Sequence, residues 1–369
     1  VDSIAVTNRE NQSLAKGVTC YVAGHPLPDP EGLKSAEAVM AAIDASPENC
    51  HVILCISGGA SAMLPAPVEG VSLQEKIKTT DLLLGSGADI VEINVVRKHL
   101  SRLKGGGLLR LAGARPVSAL ILSDVINNDL SAIASGPATA DITSFEDAKF
   151  VMEKYDIWEA SPRSVRRYIA DGIEGKNKDT LKPNETIGLD VRNHLIGSNH
   201  ASVSAARHFL KSSGVELLDV DYPIIGDVRE AAKKLAEKLM QHLSDGNVKE
   251  GQKYALVSGG ETTVQLTGSG KGGRNQEFTL AFVKEMSRRQ NIAADWVFFS
   301  GGTDGRDGPT DAAGGLVDCE TMARLVQAGR DIDRDLANNN AYAALKDVGD
   351  LIRIGGTGTN VADVQILIF

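Results

Sequence analysis

The stretch YALVSGGETTVQLTGSGKGGRNQEF (Tyr254–Phe278), continued by WVFFSGGTDGRDGPTDAAGG (Trp296–Gly315), decides how the rest of the chain is read. Two short apolar runs each end in Ser-Gly-Gly, at Ser258-Gly259-Gly260 and at Ser300-Gly301-Gly302. Glu261 follows the first, and Asp304, Asp307 and Asp311 follow the second. Between them lies a glycine-rich turn with Lys271 and Arg274. An apolar run ending in glycines reads as a buried strand opening into a loop, and open α/β sheets bind ligands outside the carboxyl ends of their strands. Backbone N–H donors, cations and carboxylates in one such stretch suit a phosphate and metal site.

The same pattern occurs earlier. His51–Ile56 is a continuous apolar run, expected to be a strand buried on both faces, and Ser57-Gly58-Gly59-Ala60-Ser61 follows it. Three loops of one pattern favour ligand contact over plain turns. Ala119–Leu122 runs into Ser123-Asp124, where a carboxylate at a strand end suits Mg²⁺ or caps the next turn. A helix is expected from Asn94 to Lys104, stopped by Gly105-Gly106-Gly107, with Arg97, Ser101 and Lys104 on one stripe. Arg97 and Lys104 then either meet substrate or serve an ion pair and the helix dipole. His25, in the loop Gly24-His25-Pro26-Leu27-Pro28-Asp29-Pro30, either meets ligand or shapes the loop, and Asp29-Pro30 opens a helix. Arg274 and Asn275 sit where another helix begins; an arginine there opposes the dipole, which points to a further duty. Near the end, Thr357, Thr359 and Asn360 on a glycine loop either donate to ligand oxygens or are turn residues.

Strand–helix alternation through the chain predicts α/β units with a mostly parallel sheet and helices on both faces. The 369 residues exceed one ordinary core, so two domains are expected, 1–186 and 187–369, joined at the polar segment Asp171–Glu185. Glycine, 38 of 369, exceeds the usual ~7 % and sits at strand ends, which means loops rather than low complexity. A net charge of −9 argues against nucleic acid and anionic membranes as partners, and no apolar run approaches the ~20 residues of a membrane span. Cys20, Cys50, Cys55 and Cys319 form no metal or redox motif and are expected as free buried thiols. Gly268–Gly273 satisfies G-x-G-x-x-G by letter, but no acidic residue follows at dinucleotide spacing, and no Walker A motif is present.

Eight segments in order resemble the MOFRL-type (type II) glycerate 2-kinases. They are HPLPD (His25–Asp29), ISGGASAML (Ile56–Leu64), NVVRKHLSRLKGG (Asn94–Gly106), LSDV…IASGP (Leu122–Pro137), SGGETTV (Ser258–Val264), GKGGRNQE (Gly270–Glu277), TDGRDGPTDAAG (Thr303–Gly314) and GTGTNVAD (Gly356–Asp363). The resemblance implies a Rossmann-like α/β domain, a second α/β domain with the MOFRL region from about residue 253, and a site in the cleft between them. It implies ATP-dependent phosphorylation of D-glycerate to 2-phosphoglycerate, with Arg274, Asp304 and Asn360 as cleft residues. The assignment expected with it makes Arg274, Asp304, Lys104 and Asn360 catalytic. Ser57, Gly58, Gly59, Ser61, Ser258, Gly259, Gly260, Thr357 and Thr359 meet ATP, and Arg97, Glu261 and His25 meet the substrate. Asp304, Asp124 and Asp307 hold Mg²⁺.

Two departures stand out. Ile354-Gly355-Gly356-Thr357 replaces the family's Thr-Gly-Pro-Thr, and no Gly-Lys-Ala-Ala helix start, whose lysine the family ties to its active site, precedes Gly24. The alternatives are an NAD(P)-dependent hydroxypyruvate reductase, suggested by Gly268–Gly273, and a ligand-binding relative without catalysis. The partner expected is a small molecule, with a homodimer compatible. The expected location is the cytoplasm, or the mitochondrion with a transit peptide before Val1.

Overall fold

A computed structural model of the chain describes residues 3–12, 16–186, 188–245, 248–289 and 294–369. The chain divides into two compact units, 1–122 with 127–196 and 197–369 with 123–126. Ile187, at the expected boundary, lies outside the described residues.

The first unit contains β1 (Ile4–Thr7), β2 (Thr19–Val22), α1 (Pro30–Ala45), β3 (Val52–Ile56), α2 (Ala60–Met63), α3 (Leu73–Gly85), α4 (Ile90–His99), α5 (Gly107–Ala112), β4 (Val117–Leu122), α6 (Phe145–Lys154), α7 (Arg163–Ile173) and β5 (Val191–Gly197). β1 pairs with β2, and a separate sheet has the order β3-β4-β5. The β1–β2 and β3–β4 pairings are parallel. α1 starts as the sequence dictates: the Asp29 carboxylate accepts from Gly32 N at 2.7 Å and Pro30 fills the first turn. The helical core gathers Leu83, Val96, Leu100, Phe145, Met152, Val165 and Ile169.

Three expectations fail here. β3 is an edge strand rather than one buried on both faces, and Ile53 is 65 % exposed. The polar segment Asp171–Glu185 is not a linker: Thr180 and Leu181 are buried, Lys182 Nζ donates to Thr143 O, and Asp179 pairs with His99. The passage between units falls at 196–197, because β5 pairs with β4. The thiols are free, but Cys55 and Cys319 are exposed.

The second unit contains α8 (Asn199–Ser212), β6 (Glu216–Leu218), β7 (Ile224–Asp227), α9 (Val228–Ser244), β8 (Tyr254–Thr263), α10 (Arg274–Ser287), β9 (Val297–Gly302), β10 (Gly314–Asp318), α11 (Thr321–Gln327), α12 (Ile332–Ala337), α13 (Ala341–Val348), β11 (Leu351–Ile352) and β12 (Asp363–Ile368). Its seven strands run β11-β10-β9-β12-β8-β6, with β7 also beside β8. β6 and β7 are parallel to β8, whereas β12 is antiparallel to both β8 and β9. This sheet is therefore mixed. A loop without a crossover helix joins β9 to its antiparallel neighbour β10, and β11 pairs antiparallel with β10 after α11–α13. α9 and α10 cover one face through Phe278, Phe282, Phe298 and Trp296. α8 covers the other through Val203 and Leu210 on Ala255 and Val257.

Candidate active site

In the first unit, Ser57-Gly58-Gly59 is a loop after β3, as its sequence suggests. Gly59 has φ +83°, which a Cβ would strain, and a Cβ there would also stand 3.0 Å from the His25 ring. His25 therefore borders this loop. α4 does not begin at Asn94. Asp89 and Glu92 form a capping box that starts it at Ile90, and it ends at His99. Arg97 and Lys104 thus share no helix, yet both reach Ser61. Arg97 Nη2 donates to Ser61 Oγ at 2.6 Å, and Lys104 Nζ donates to Ser61 O at 2.7 Å and Leu64 O at 3.3 Å. Ser61 Oγ lies 2.9 Å from Ser135 Oγ, which donates to Asn94 Oδ1 at 3.1 Å. Ala134 and Ser135 have φ of 52° and 61°, a left-handed strain of about 1–2 kcal/mol each. Burial holds Lys104 well below the usual lysine range, and the Arg97 charge adds to it.

In the second unit, two of the three Ser-Gly-Gly sequences are not loops. Ser258, Gly259 and Gly260 lie inside β8, and Ser300-Gly301-Gly302 inside β9. Gly260 is flanked by Asp363 of β12 and Ile224 of β7. A Cβ on Gly260 would overlap Ile224 O, and one on Gly259 would overlap Asn199 Oδ1. These glycines allow backbones and side chains to approach, and Ser258 Oγ donates to Asp221 O at 2.6 Å. The expected phosphate loop is absent at Ser258–Gly260.

Arg274 does start α10, and its guanidinium meets carboxylates. Nε and Nη2 fork onto Asp363 at 2.6 and 3.0 Å, and Nη1 reaches Glu261 at 2.8 Å. Burial works against this charge, but the two carboxylates hold Arg274 above its usual range. Burial raises Glu261, with Arg274 opposing and Asp363 and Asp124 adding like charge. Asp363, buried at the start of β12, was not foreseen as a site residue, although it closes the GTGTNVAD segment. Asp307 caps α10 from outside. Oδ1 accepts from Asn275 N at 3.0 Å and Nδ2 at 3.2 Å, and Oδ2 from Gln276 N at 2.8 Å. Burial pushes Asp307 up to about 6 despite these N–H donors. Asp304 Oδ1 accepts from Arg306 N at 2.9 Å. The loop carrying Asp304 is tied to the last glycine loop. Thr357 N donates to Asp304 O at 3.2 Å and Thr357 Oγ1 to Thr303 O at 2.6 Å. Thr357 and Asn360 are exposed and Thr359 half-buried, and Asn360 Oδ1 accepts from Ala362 N.

Each unit thus gathers its own set. Ser57–Ser61, His25, Arg97 and Lys104 converge in the first. Glu261, Arg274, Asp304 and Asp307 gather in the second with Asp363, and the Asp124 charge acts on Glu261 as well. Among the described residues, no group of three or more His, Cys, Asp or Glu side chains forms a metal cage. No helix among them is long and apolar enough to cross a membrane.

Cations beside the loop after β3 in one unit, and carboxylates around an arginine in the other, suit the positioning and charge neutralisation that a phosphotransferase needs. Comparison with known proteins makes this particular. Residues 1–170 match a domain of unknown function (DUF4147), and residues 254–363 match the MOFRL family. The chain is 41 % identical over 368 residues to a glycerate 2-kinase of Pyrococcus horikoshii, covering 100 % of this chain and 81 % of that protein. It is 40 % identical to a D-glycerate 2-kinase of Thermotoga maritima, covering 94 % and 79 %. A crystal structure of a Thermotoga maritima glycerate kinase superposes with a TM-score of 0.88 at 38 % identity, covering 100 % of this chain and 85 % of that one. The chain belongs to the MOFRL-containing glycerate 2-kinase family.

Proposed function

We propose that the chain transfers the γ-phosphoryl group of ATP to D-glycerate, giving 2-phosphoglycerate and ADP. The whole-length match to glycerate kinases carries this reading, and the two side-chain sets agree with it chemically. Phosphoryl transfer needs positioning and charge neutralisation more than covalent help. Lys104 and Arg97 neutralise an oxyanion beside the Ser57–Ser61 loop, whose N–H groups at Gly58 and Gly59 face phosphate, with His25 at its border. Thr357, Thr359 and Asn360 offer further donors. No phosphate contact is assigned to Ser258, Gly259 or Gly260, which the sheet occupies.

Arg274 opposes the charge that develops on the transferred group, and Asp363 holds its fork in place. Asp304 orients the attacking hydroxyl and accepts its proton, and Glu261 binds the acceptor. For Mg²⁺, a hard cation that prefers oxygen ligands, carboxylates are the donors that would suit. Asp304 and Asp124 are the ligands proposed, and Asp307 is not, because both its oxygens already serve α10. Held there, Mg²⁺ would supply positive charge to offset that of the phosphates.

The test is incubation with D-glycerate, ATP and Mg²⁺, following ADP. Formation of ADP that depends on D-glycerate is expected. Oxidation of NADH by hydroxypyruvate without ADP formation would replace this reading with a reductase. Binding of both ligands with neither turnover would leave a ligand-binding relative.

A further inference from the structure

Lys76 stands on α3 at the spacing of that helix's buried face, with Leu73, Thr79 and Leu83. It is 6 % exposed, and its Nζ donates to Leu100 O at 2.6 Å, at the end of α4. Three more cations converge on the same layer of chain. Lys104 is pinned to Ser61 O and Leu64 O, Arg97 to Ser61 Oγ, and Arg102 Nε to Pro67 O at 2.9 Å. Segment 61–67 thus meets segment 97–104, and Lys76 Nζ reaches the latter at Leu100 O. Among the described residues, no carboxylate pairs with any of these four side chains.

This arrangement is costly. An ammonium leaving water loses several kcal/mol of solvation unless an opposite charge compensates it. A main-chain carbonyl at a helix end is an acceptor that a neutral donor would also satisfy, so capping α4 does not require a charge. Burial and the like charges of Lys104, Arg97 and Arg102 all disfavour the charged form of Lys76. Elsewhere in the same unit a buried lysine does have an acid, Lys98 with Asp141. The missing counter-charge is what a ligand would bring.

We propose that Lys76 is the third cation of an oxyanion site: Lys104 and Arg97 touch a carboxylate or phosphoryl oxygen beside Ser61, and Lys76 is a positioning residue that takes its proton when the anion arrives and then reinforces their field. The inference rests on the kinase reading for the identity of the ligands but not for the existence of the site. A buried cation that does not touch the anion acts through a medium of effective dielectric near 20. Its loss should cost about tenfold in affinity for the anion.

The experiment compares wild type with Lys76→Met by calorimetric binding of D-glycerate and, separately, of ADP and inorganic phosphate, together with thermal unfolding and steady-state kinetics. We expect Lys76→Met to keep or raise the melting temperature, because a buried amine with no acidic partner has gone. We also expect it to weaken one ligand about tenfold and to raise that ligand's KM while kcat stays within about threefold. Selective loss of D-glycerate identifies the carboxylate; selective loss of ADP and phosphate identifies the phosphoryl group. A lower melting temperature with all affinities unchanged would overturn the proposal and make Lys76 a helix-capping residue. Wild type that binds none of the three and forms no ADP would instead overturn the kinase reading, a result separable from the first.

Discussion

The two units treat their site cations in opposite ways. In the first, Lys76, Lys104 and Arg97 are held by carbonyls and a hydroxyl, with no acid among their partners in the described residues. In the second, Arg274 is sheathed by Asp363 and Glu261. An arginine fixed by a bidentate carboxylate is rigid, with its charge already balanced, and suits the orientation of a group that must not move. Cations without counter-charge are a standing demand for an anion. The difference teaches that one set is built to bind and the other to position and to meet charge at the moment of transfer.

Breaking the second set should have the larger effect. Arg274→Ala should lower kcat/KM for D-glycerate by about 10²-fold or more, measured at steady state, from lost transition-state stabilisation. Asp363→Asn keeps the arginine but loosens its fork. A fall in kcat of about tenfold to a hundredfold is expected, with a lower melting temperature, because part of a buried ion pair is lost. Retention of wild-type kcat by Asp363→Asn would show that Arg274 needs no positioning. A smaller effect concerns Asp307, held up to about 6 by burial against an ordinary 3.8. Its folded value lies above its unfolded one, so its contribution to stability is complete below about pH 4 and is lost as pH rises through about 6. Denaturant unfolding should show wild type losing about 2 kcal/mol relative to Asp307→Asn across that window. A flat difference would mean that the α10 N–H groups fully offset the burial.

Much of this was legible from sequence, and the failures have physical causes. The order of α/β elements, the Asp29 cap and Arg274 at the start of α10 follow from local chemistry that survives in the fold. The three Ser-Gly-Gly sequences were alike only in letters. Ser57–Gly59 ends a strand, whereas Gly259 and Gly260 are glycines because Asn199 and Ile224 crowd them, a tertiary fact with no local signature. Asp307 had the composition of a metal ligand, but α10 starts with two unsatisfied N–H groups that claim its oxygens. Asp363 sat in view within GTGTNVAD, but only the sheet shows it opposite both Gly260 and Gly302. Lys76 did carry a signal, a lysine at core spacing on α3, which outweighs its ordinary look within the polar run Gln74–Lys78.

The contrast between binding and positioning is tested most directly by measuring KM and kcat for both substrates in Lys104→Met and Arg274→Ala side by side. The account predicts that Lys104→Met raises the KM of D-glycerate or of ATP about tenfold with kcat within about threefold, and that Arg274→Ala lowers kcat about 10²-fold with both KM values within about threefold. The same split in both variants, or the reverse assignment, would contradict it.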